Sequence, residues 1–498
     1  MSPNITEAIF ARSERDPQSI AVIDGERTVD CQLLCRSVRL AVQRFREAGW
    51  KAGEIVGVSV RDSPTLYLVV SLALARMGAT QMALPTGNPP ALNLSRIRRL
   101  GVTRLLADHS DTAGDATTSV MLVDSGWLAN TAKPAAVGNI CESGGDRPWL
   151  IVESSGTTGE PKMIAISHAG EFERASRQSP IFAHLRGERF LNFTGLHFLI
   201  GISQAYRCLS DGGTLAFPPD GLDVDKLMDW INLHQVNYIA CVPLHLHGLL
   251  RALRTDTPRL PALRILRTST APLPVSTLDD VRRRISPNVY IAYGSTEAGM
   301  IAIATPAMLA EYSDTVGPPL DGIDLEVVDE QNGPLPAGKM GRVRIRAPFI
   351  QPSFLGENTQ EQLALFQDGW FYPGDVGVKN DIGMVFLKGR ADDIMNFDGI
   401  MINPSEIESV LRQHPGVIEV AAFPLPSHKH QNIPAVAIVS VEPLQVDELS
   451  RFCVAQLGLR APRQIFRVDA IPRNSMGKVL RHRLAELAMQ TIPQNQRS

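Results

Sequence analysis

The 498-residue sequence has only six cysteines, at positions 31, 35, 141, 208, 241 and 453, and no Cys-x-x-Cys pair among them. Cys31 and Cys35 are spaced by one helical turn and have no histidine near them. Thiols scattered in this way exclude a disulfide scaffold and a zinc ribbon, give no support to a cysteine nucleophile, and read as reduced core residues. Long apolar runs are also missing. The longest, Leu66 to Ala75, stops at Arg76, well short of the ~20 residues of a membrane helix, and reads as a buried helix with no transmembrane segment. The first residues, Met1 to Glu7, show neither a basic n-region nor an apolar h-region, so a cytoplasmic protein is expected. Neither sign of charge prevails: the formal net charge is −3, which gives no reason to expect nucleic acid or an anionic membrane as partner. The basic clusters Arg96-Ile97-Arg98-Arg99 and Arg282-Arg283-Arg284 read as solvated helix faces. There is no internal repeat and no low-complexity tract.

What is present is a chain with 44% hydrophobic residues, soluble in composition and too long for one core. From residue 20 to about 130, β-branched runs such as Ile55 to Val60 alternate with alanine- and leucine-rich helical stretches such as Leu66 to Met77, which predicts α/β units. Alternation returns between 225 and 300, with a helix near Asp225 to Ile231 and strands at 238–242, 264–266 and 289–292. Glycine, proline and β-branched residues dominate 315–388, the pattern of an antiparallel or barrel-like segment. After Arg390 come a helix at 404–413, strands near 417–422 and 435–441, and a helix at 446–457. The fold class expected is therefore α/β: a large N-terminal domain of α/β subdomains with a small β-barrel-like segment, then a small mobile α+β C-terminal domain. Boundaries are set at 1–389 and 395–498, with 390–394 between them.

Chemistry enters with Ser154-Ser155-Gly156-Thr157-Thr158-Gly159-Glu160-Pro161-Lys162. Glycines let backbone N–H groups approach an anion, hydroxyls rotate to donate, and lysine adds a mobile charge. A strand at Trp149 to Val152 precedes it and another at Met163 to Ser167 follows. This is not a Walker A loop, because Met163 follows Lys162 and no helix opens there. On these residues alone, a phosphate cradle and a flexible surface turn are both open. Further along, Tyr293-Gly294-Ser295-Thr296-Glu297-Ala298-Gly299 follows an apolar strand and brings an aromatic ring, a glycine and a carboxylate together, able to stack on a base and hold a cation. Gly369 to Gly377 sets Asp375 in a turn, Arg390 follows fifteen residues later, and Pro472 to Arg481 places Lys478 after a glycine on a polar loop.

In this order and over nearly the whole chain, these motifs resemble the adenylate-forming superfamily of acyl-CoA synthetases, peptide-synthetase adenylation domains and luciferases. The resemblance implies an enzyme that joins a carboxylic acid to AMP from ATP with release of pyrophosphate, and then passes the acyl group to a thiol. It implies that Ser154, Ser155, Gly156, Thr157, Thr158, Gly159 and Lys162 bind the β- and γ-phosphates, and that Tyr293, beside Gly294, lies against adenine. Glu297 would help hold Mg2+, with Thr296 close to the α-phosphate. Asp375 would accept both ribose hydroxyls and Arg390 would also reach the ribose. Lys478 would bridge the attacking carboxylate and the α-phosphate, where with Mg2+ it removes the repulsion of two anions. Asp392 is the candidate pivot of the small domain, and Gly399 the residue beside which the pantetheine arm runs. The plainer readings are an exposed lysine for Lys478 and a turn residue for Gly399. The sequence departs from the family pattern at Met395, where many relatives carry a basic residue, at Ser353-Phe354, and at Thr268 to Pro272.

Amino-acid-activating relatives carry an aspartate upstream of a Gly-Gly turn, and no carboxylate occurs here from Leu191 to Gln204, which disfavours an α-amino acid. His197 resembles the histidine that borders the acyl tunnel of acyl- and aryl-CoA ligases, a structural role being the alternative. Phe193, Phe198, Leu199, Ile202 and Val242 are expected to line that tunnel and favour a fatty or aromatic acid. The acceptor is read as CoA, the alternative being the phosphopantetheine arm of an acyl or peptidyl carrier protein. A third reading is a nucleotide-binding or scaffolding protein without turnover.

Overall fold

A computed structural model describes residues 4–61, 63–85, 90–110, 114, 117–128, 144–154, 162–182, 187–348, 350, 355, 365–398, 400–427, 432–440, 444–474 and 477–491. The alternating first part of the chain resolves into two sheets. One has six strands in the order 119–122, 104–107, 55–59, 80–83, 148–154 and 162–167. All its pairings are parallel except the last, where Pro148–Ser154 and Lys162–Ser167 form an antiparallel hairpin. The other has eight strands, in the order 299–304, 289–295, 265–268, 238–241, 189–192, 214–217, 20–24 and 27–30. It is parallel within and closed at each edge by an antiparallel hairpin. The helix Pro64–Arg76 shows why the interior is well filled. Ser63 caps it by accepting from the Leu66 N–H, proline occupies its first turn, and every residue from Thr65 to Arg76 is buried. A helix apolar all round has no solvent face to keep.

The segment rich in glycine and proline forms a third sheet, antiparallel throughout, from Asp324–Val328 to Val385–Arg390. Beyond it the chain builds separate cores. Asn403 caps the helix Pro404–Leu411 by accepting from the Ser405 N–H. The strands Val417–Pro426 and Asn432–Ser440 pair antiparallel, and Gln464–Arg467 joins them in parallel. Helices Val446–Leu457 and Arg481–Thr491 cover opposite faces of this small sheet, one around Leu449 and Cys453, the other around Leu484 and Ala488. Among the described residues, Cys31, Cys35, Cys208, Cys241 and Cys453 are free thiols, and no helix is long and apolar enough to cross a membrane.

His168, at the start of the helix His168–Phe182, ties the N-terminus to the first sheet. It is fully buried, and its Nδ1 accepts the Ile5 N–H at 3.2 Å. Burial pushes its pKa down to about 4, and the nearby Arg147 adds to the effect. Between that value and the ordinary 6.5 the unfolded chain binds the extra proton, so stability falls as pH drops through this window. The expected loss between pH 7 and pH 5 is about 2 kcal/mol from this group alone. Urea unfolding at the two pH values checks it. In His168→Asn, which keeps an acceptor near Nδ1 but cannot titrate, that share of the pH dependence is expected to vanish.

Candidate active site

The strand Val289–Ser295 turns at Thr296-Glu297 into Gly299–Ala304, and the turn admits no larger residue at its entrance. A Cβ on Gly294 would lie 2.2 Å from the Gly299 carbonyl oxygen, and Gly299 itself has φ +67°. The turn is also held from outside. Arg174, on the helix His168–Phe182, donates through Nη1 to the Thr296 carbonyl (3.1 Å) and through Nη2 to the Glu297 carbonyl (2.9 Å). Arg174 is balanced by Glu171, one turn earlier on the helix, whose carboxylate accepts from the Ser203 hydroxyl at 3.0 Å. With its backbone fixed in this way, the half-buried Glu297 carboxylate makes no hydrogen bond among the described residues and is available to a hard cation. Among the described residues no group of three metal-ligating side chains exists. Arg174 was not legible as a site residue in the sequence.

Tyr293 is buried, and its hydroxyl donates to Asp375 Oδ2 at 2.6 Å. The expectation gave Tyr293 only a base to lie against; the structure adds a bond that fixes the carboxylate. Asp375 and Arg390 are cross-strand partners in the hairpin Asp375–Lys379 with Val385–Arg390. Arg390 Nη1 stands 3.5 Å from Asp375 Oδ1 and also donates to the Pro373 carbonyl, and Nη2 stands 3.8 Å from Asp392. Gly374, with φ +81°, leaves room for that guanidinium, since a Cβ there would meet Nη2 at 2.7 Å. Burial raises the Asp375 pKa, and Arg390, the Tyr293 hydroxyl and Lys478 oppose the rise.

Lys478 closes the group from the C-terminal unit. Its loop is tied by Asn474, whose N–H donates to the Lys478 carbonyl at 2.9 Å and whose Oδ1 accepts the Lys478 N–H at 2.9 Å. Gly477, at φ +77°, packs on Leu244, where a Cβ would come within 2.9 Å of the Leu244 Cβ. Glu419 holds the same corner, accepting from Arg473 at 3.1 Å and from Arg251 of the large unit at 3.2 Å. The lysine is half-buried, and burial lowers its pKa. Arg390 and Arg481 lower it further, while Asp393 and Asp375 raise it. Tyr293, Asp375, Arg390 and Lys478, drawn from separate stretches of sequence, thus share one electrostatic site.

Other expected residues fall elsewhere. Lys162 stands at the base of the phosphate-loop hairpin, paired across it with Ser154. Ser155, Gly156, Thr157, Thr158 and Gly159 lie outside the described residues, as do Gly399, Ser353 and Phe354. Met395 is fully buried in the small unit's core beside Ile402 and Ile407, so an apolar contact occupies that position. His197 is exposed on the turn that enters the helix Leu199–Ser210, its ring 4.3 Å from that of Phe198. Asn192 shapes this turn by accepting from Thr194 and donating to the Gly201 carbonyl at 3.0 Å. The expected tunnel lining divides. Phe193 packs on the core under one face of the eight-stranded sheet, and Leu199 and Ile202 on the core over the other. Phe193 directly follows the strand Arg189–Asn192, whereas Leu199 and Ile202 belong to the helix over the opposite face of the sheet, so they do not form one wall.

Residues 9–355 match the family described as AMP-binding enzyme, and residues 406–478 match the AMP-binding enzyme C-terminal domain. The 2-succinylbenzoate–CoA ligase of Bacillus velezensis is 25% identical over 96% of this chain and 97% of its own length. The indoleacetate–CoA ligase of Aromatoleum aromaticum is 26% identical over 97% of this chain and 98% of its own. Among solved structures, the O-succinylbenzoate coenzyme A synthetase of Bacillus subtilis, in complex with ATP and magnesium ion, superimposes with a TM-score of 0.86. It is 22% identical, with 97% of this chain and 99% of that one covered.

Proposed function

The chain belongs to the AMP-binding enzyme family, and we propose that it is an AMP-forming acid–CoA ligase acting on a small aromatic or fatty carboxylic acid. ATP activates the acid as an acyl-adenylate with release of pyrophosphate, and the acyl group then passes to the thiol of CoA. The observation that carries this reading is the convergence of Tyr293, Asp375, Arg390 and Lys478 beside the turn that presents Glu297. The relatives named above are CoA ligases of aryl-bearing acids, which favours CoA over a carrier protein as acceptor and an aromatic over a fatty acid.

Each residue then has a physical task. Asp375, steadied by Tyr293 and Arg390, accepts the ribose hydroxyls. Glu297, with Thr296 beside it, would hold Mg2+, which when bound would supply positive charge against the phosphates. The loop 154–162 receives the departing phosphates, with Lys162 at its base. Lys478 lies between the acid's carboxylate and the α-phosphate. No general base is required, because a carboxylic acid is already ionised at pH 7. His197 borders the entry of the acid. For the second step, the unit 395–498 turns on the segment 390–394 about Asp392 and brings Gly399 beside the pantetheine arm, the large domain being 1–389. A cytoplasmic location accords with substrates of this kind.

Incubation with ATP, Mg2+, CoA and a panel of aromatic and fatty acids is expected to yield one acyl-CoA with stoichiometric AMP, detected by mass spectrometry. AMP released with no thioester for any acid would remove CoA as acceptor. A second expectation concerns Arg174. Arg174→Met should raise the Mg2+ concentration for half-maximal rate several-fold and leave the KM of the acid unchanged, with partial recovery in Arg174→Lys. A uniform loss of rate at every Mg2+ concentration would reduce Arg174 to a packing role.

A further inference from the structure

One ion pair of the six-stranded sheet has no part in the chemistry above. Glu153 is the next-to-last residue of the strand Pro148–Ser154, directly before the first residue of the phosphate loop. Its strand face is otherwise apolar: Ile151, two residues back, and Met163, its partner across the hairpin, pack with Leu84 and Ile97 in one cluster. Into that surface the helix Pro90–Arg99 brings Arg96, whose Nη2 donates to Glu153 Oε2. Arg96 is buried and Glu153 half-buried. The arginine is held in turn, since its Nη1 donates to Asn93 Oδ1 at 3.0 Å and Asn93 Nδ2 donates to the Pro85 carbonyl at 3.2 Å. Arg96 Nε and Glu153 Oε1 are buried and make no hydrogen bond among the described residues.

Such a pair is a poor means of gaining stability. Burial pushes the Glu153 pKa up and the Arg96 pKa down, and their mutual attraction works against both shifts. Apolar side chains of similar volume would fill the same space as well or better. What a charged pair adds is a fixed register, because each partner is satisfied in one place only. The register fixed here is that of the phosphate loop. Ser154 and Lys162 face each other as the last pair of the hairpin, one residue beyond Glu153 and Met163, about 3.3 Å along each strand. The strand Thr80–Ala83, which leads to Pro85, is the parallel neighbour of Pro148–Ser154. Arg96 and Asn93 therefore tie together the carboxyl ends of two adjacent strands, the edge at which open α/β sheets bind ligands.

We propose that Arg96 and Glu153 are positioning residues for the β- and γ-phosphates: their ion pair holds Ser154 and Lys162 in the register that receives pyrophosphate. The inference rests on the acid-activating reading and adds to it a support that does not touch substrate.

The test is calorimetric titration of ATP, pyrophosphate and AMP, each with Mg2+, into the native enzyme, Arg96→Met, Arg96→Lys and the double variant Arg96→Met/Glu153→Leu, with the unfolding temperature of each. Arg96→Met leaves a carboxylate buried without its counter-charge. It is expected to unfold at a lower temperature and to bind ATP and pyrophosphate at least tenfold more weakly, with the affinity for AMP, which does not reach the loop, changed less than twofold. Arg96→Lys should recover part of the loss. The double variant separates position from packing: it should regain the native unfolding temperature and keep the weak binding of ATP and pyrophosphate, and it carries the test alone if Arg96→Met does not fold. Recovery of binding together with stability overturns the proposal, as do equal losses for AMP or unaltered affinities for ATP and pyrophosphate in the double variant. These titrations require no acid. Absence of acid-dependent pyrophosphate exchange in the native enzyme overturns the acid-activating reading, whereas variants that bind ATP as the native enzyme does overturn this inference alone.

Discussion

Lys478→Ala is expected to lower acid-dependent formation of the adenylate by roughly 100- to 1,000-fold, the cost of removing one preorganised charge from a developing anionic transition state. The argument is electrostatic. Two anions must meet at the α-phosphorus, and the Lys478 ammonium is the half-buried cation that reaches the site from the C-terminal unit. The lysine is held by Asn474 through two backbone contacts and not by its own charge, so its truncation leaves the loop in place. Transfer of the acyl group from a supplied acyl-adenylate to CoA should change less than threefold, since that step needs no such bridge. Single-turnover assays of the two half-reactions separate these outcomes. Equal losses in both would mean that the substitution unseats the C-terminal unit. Because burial lowers the Lys478 pKa, the alkaline decline of the first half-reaction should begin below the ordinary lysine value of about 10.4.

Asp375→Ala should raise the KM for ATP about a hundredfold, the worth of two hydrogen bonds from substrate hydroxyls to a charged acceptor. The native carboxylate is poised for this because Tyr293 fixes one oxygen at 2.6 Å and Arg390 stands 3.5 Å from the other. The deoxy nucleotides supply the control. The native enzyme should discriminate strongly against 2′-deoxy- and 3′-deoxy-ATP, and the variant should accept all three nucleotides about equally poorly. Discrimination that survives in Asp375→Ala would assign the ribose to another group. Loss of the carboxylate also leaves the buried Tyr293 hydroxyl without its acceptor and takes one counter-charge from Arg390, so part of the effect should appear as a lower unfolding temperature.

Much of the architecture was legible because period and punctuation agree with burial. The helix 446–457 and the hairpin on either side of the phosphate loop stand where apolar spacing put them, and the mostly apolar run from Leu66 to Ala75 is the fully buried helix it resembled. The residues that meet at the candidate site, Tyr293, Asp375, Arg390 and Lys478, were legible as members of short motifs. What supports them was not. Arg174 reaches Glu297 across 123 positions, and nothing in its local sequence marks it apart from any helical arginine. Arg267 directly follows the strand expected at 264–266, and nothing in that run marks its side chain as buried, whereas both faces of that sheet are covered. The same two-sided burial explains why Phe193 and Ile202, taken as one wall, pack on opposite faces.

The account stands most directly on exchange of labelled pyrophosphate into ATP, measured with no thiol present, across the acid panel, for the native enzyme and for Lys478→Ala. The predicted result is exchange that requires an added carboxylic acid and Mg2+ in the native enzyme and falls to background in the variant. Acid-independent exchange, or equal exchange by the two proteins, would contradict it.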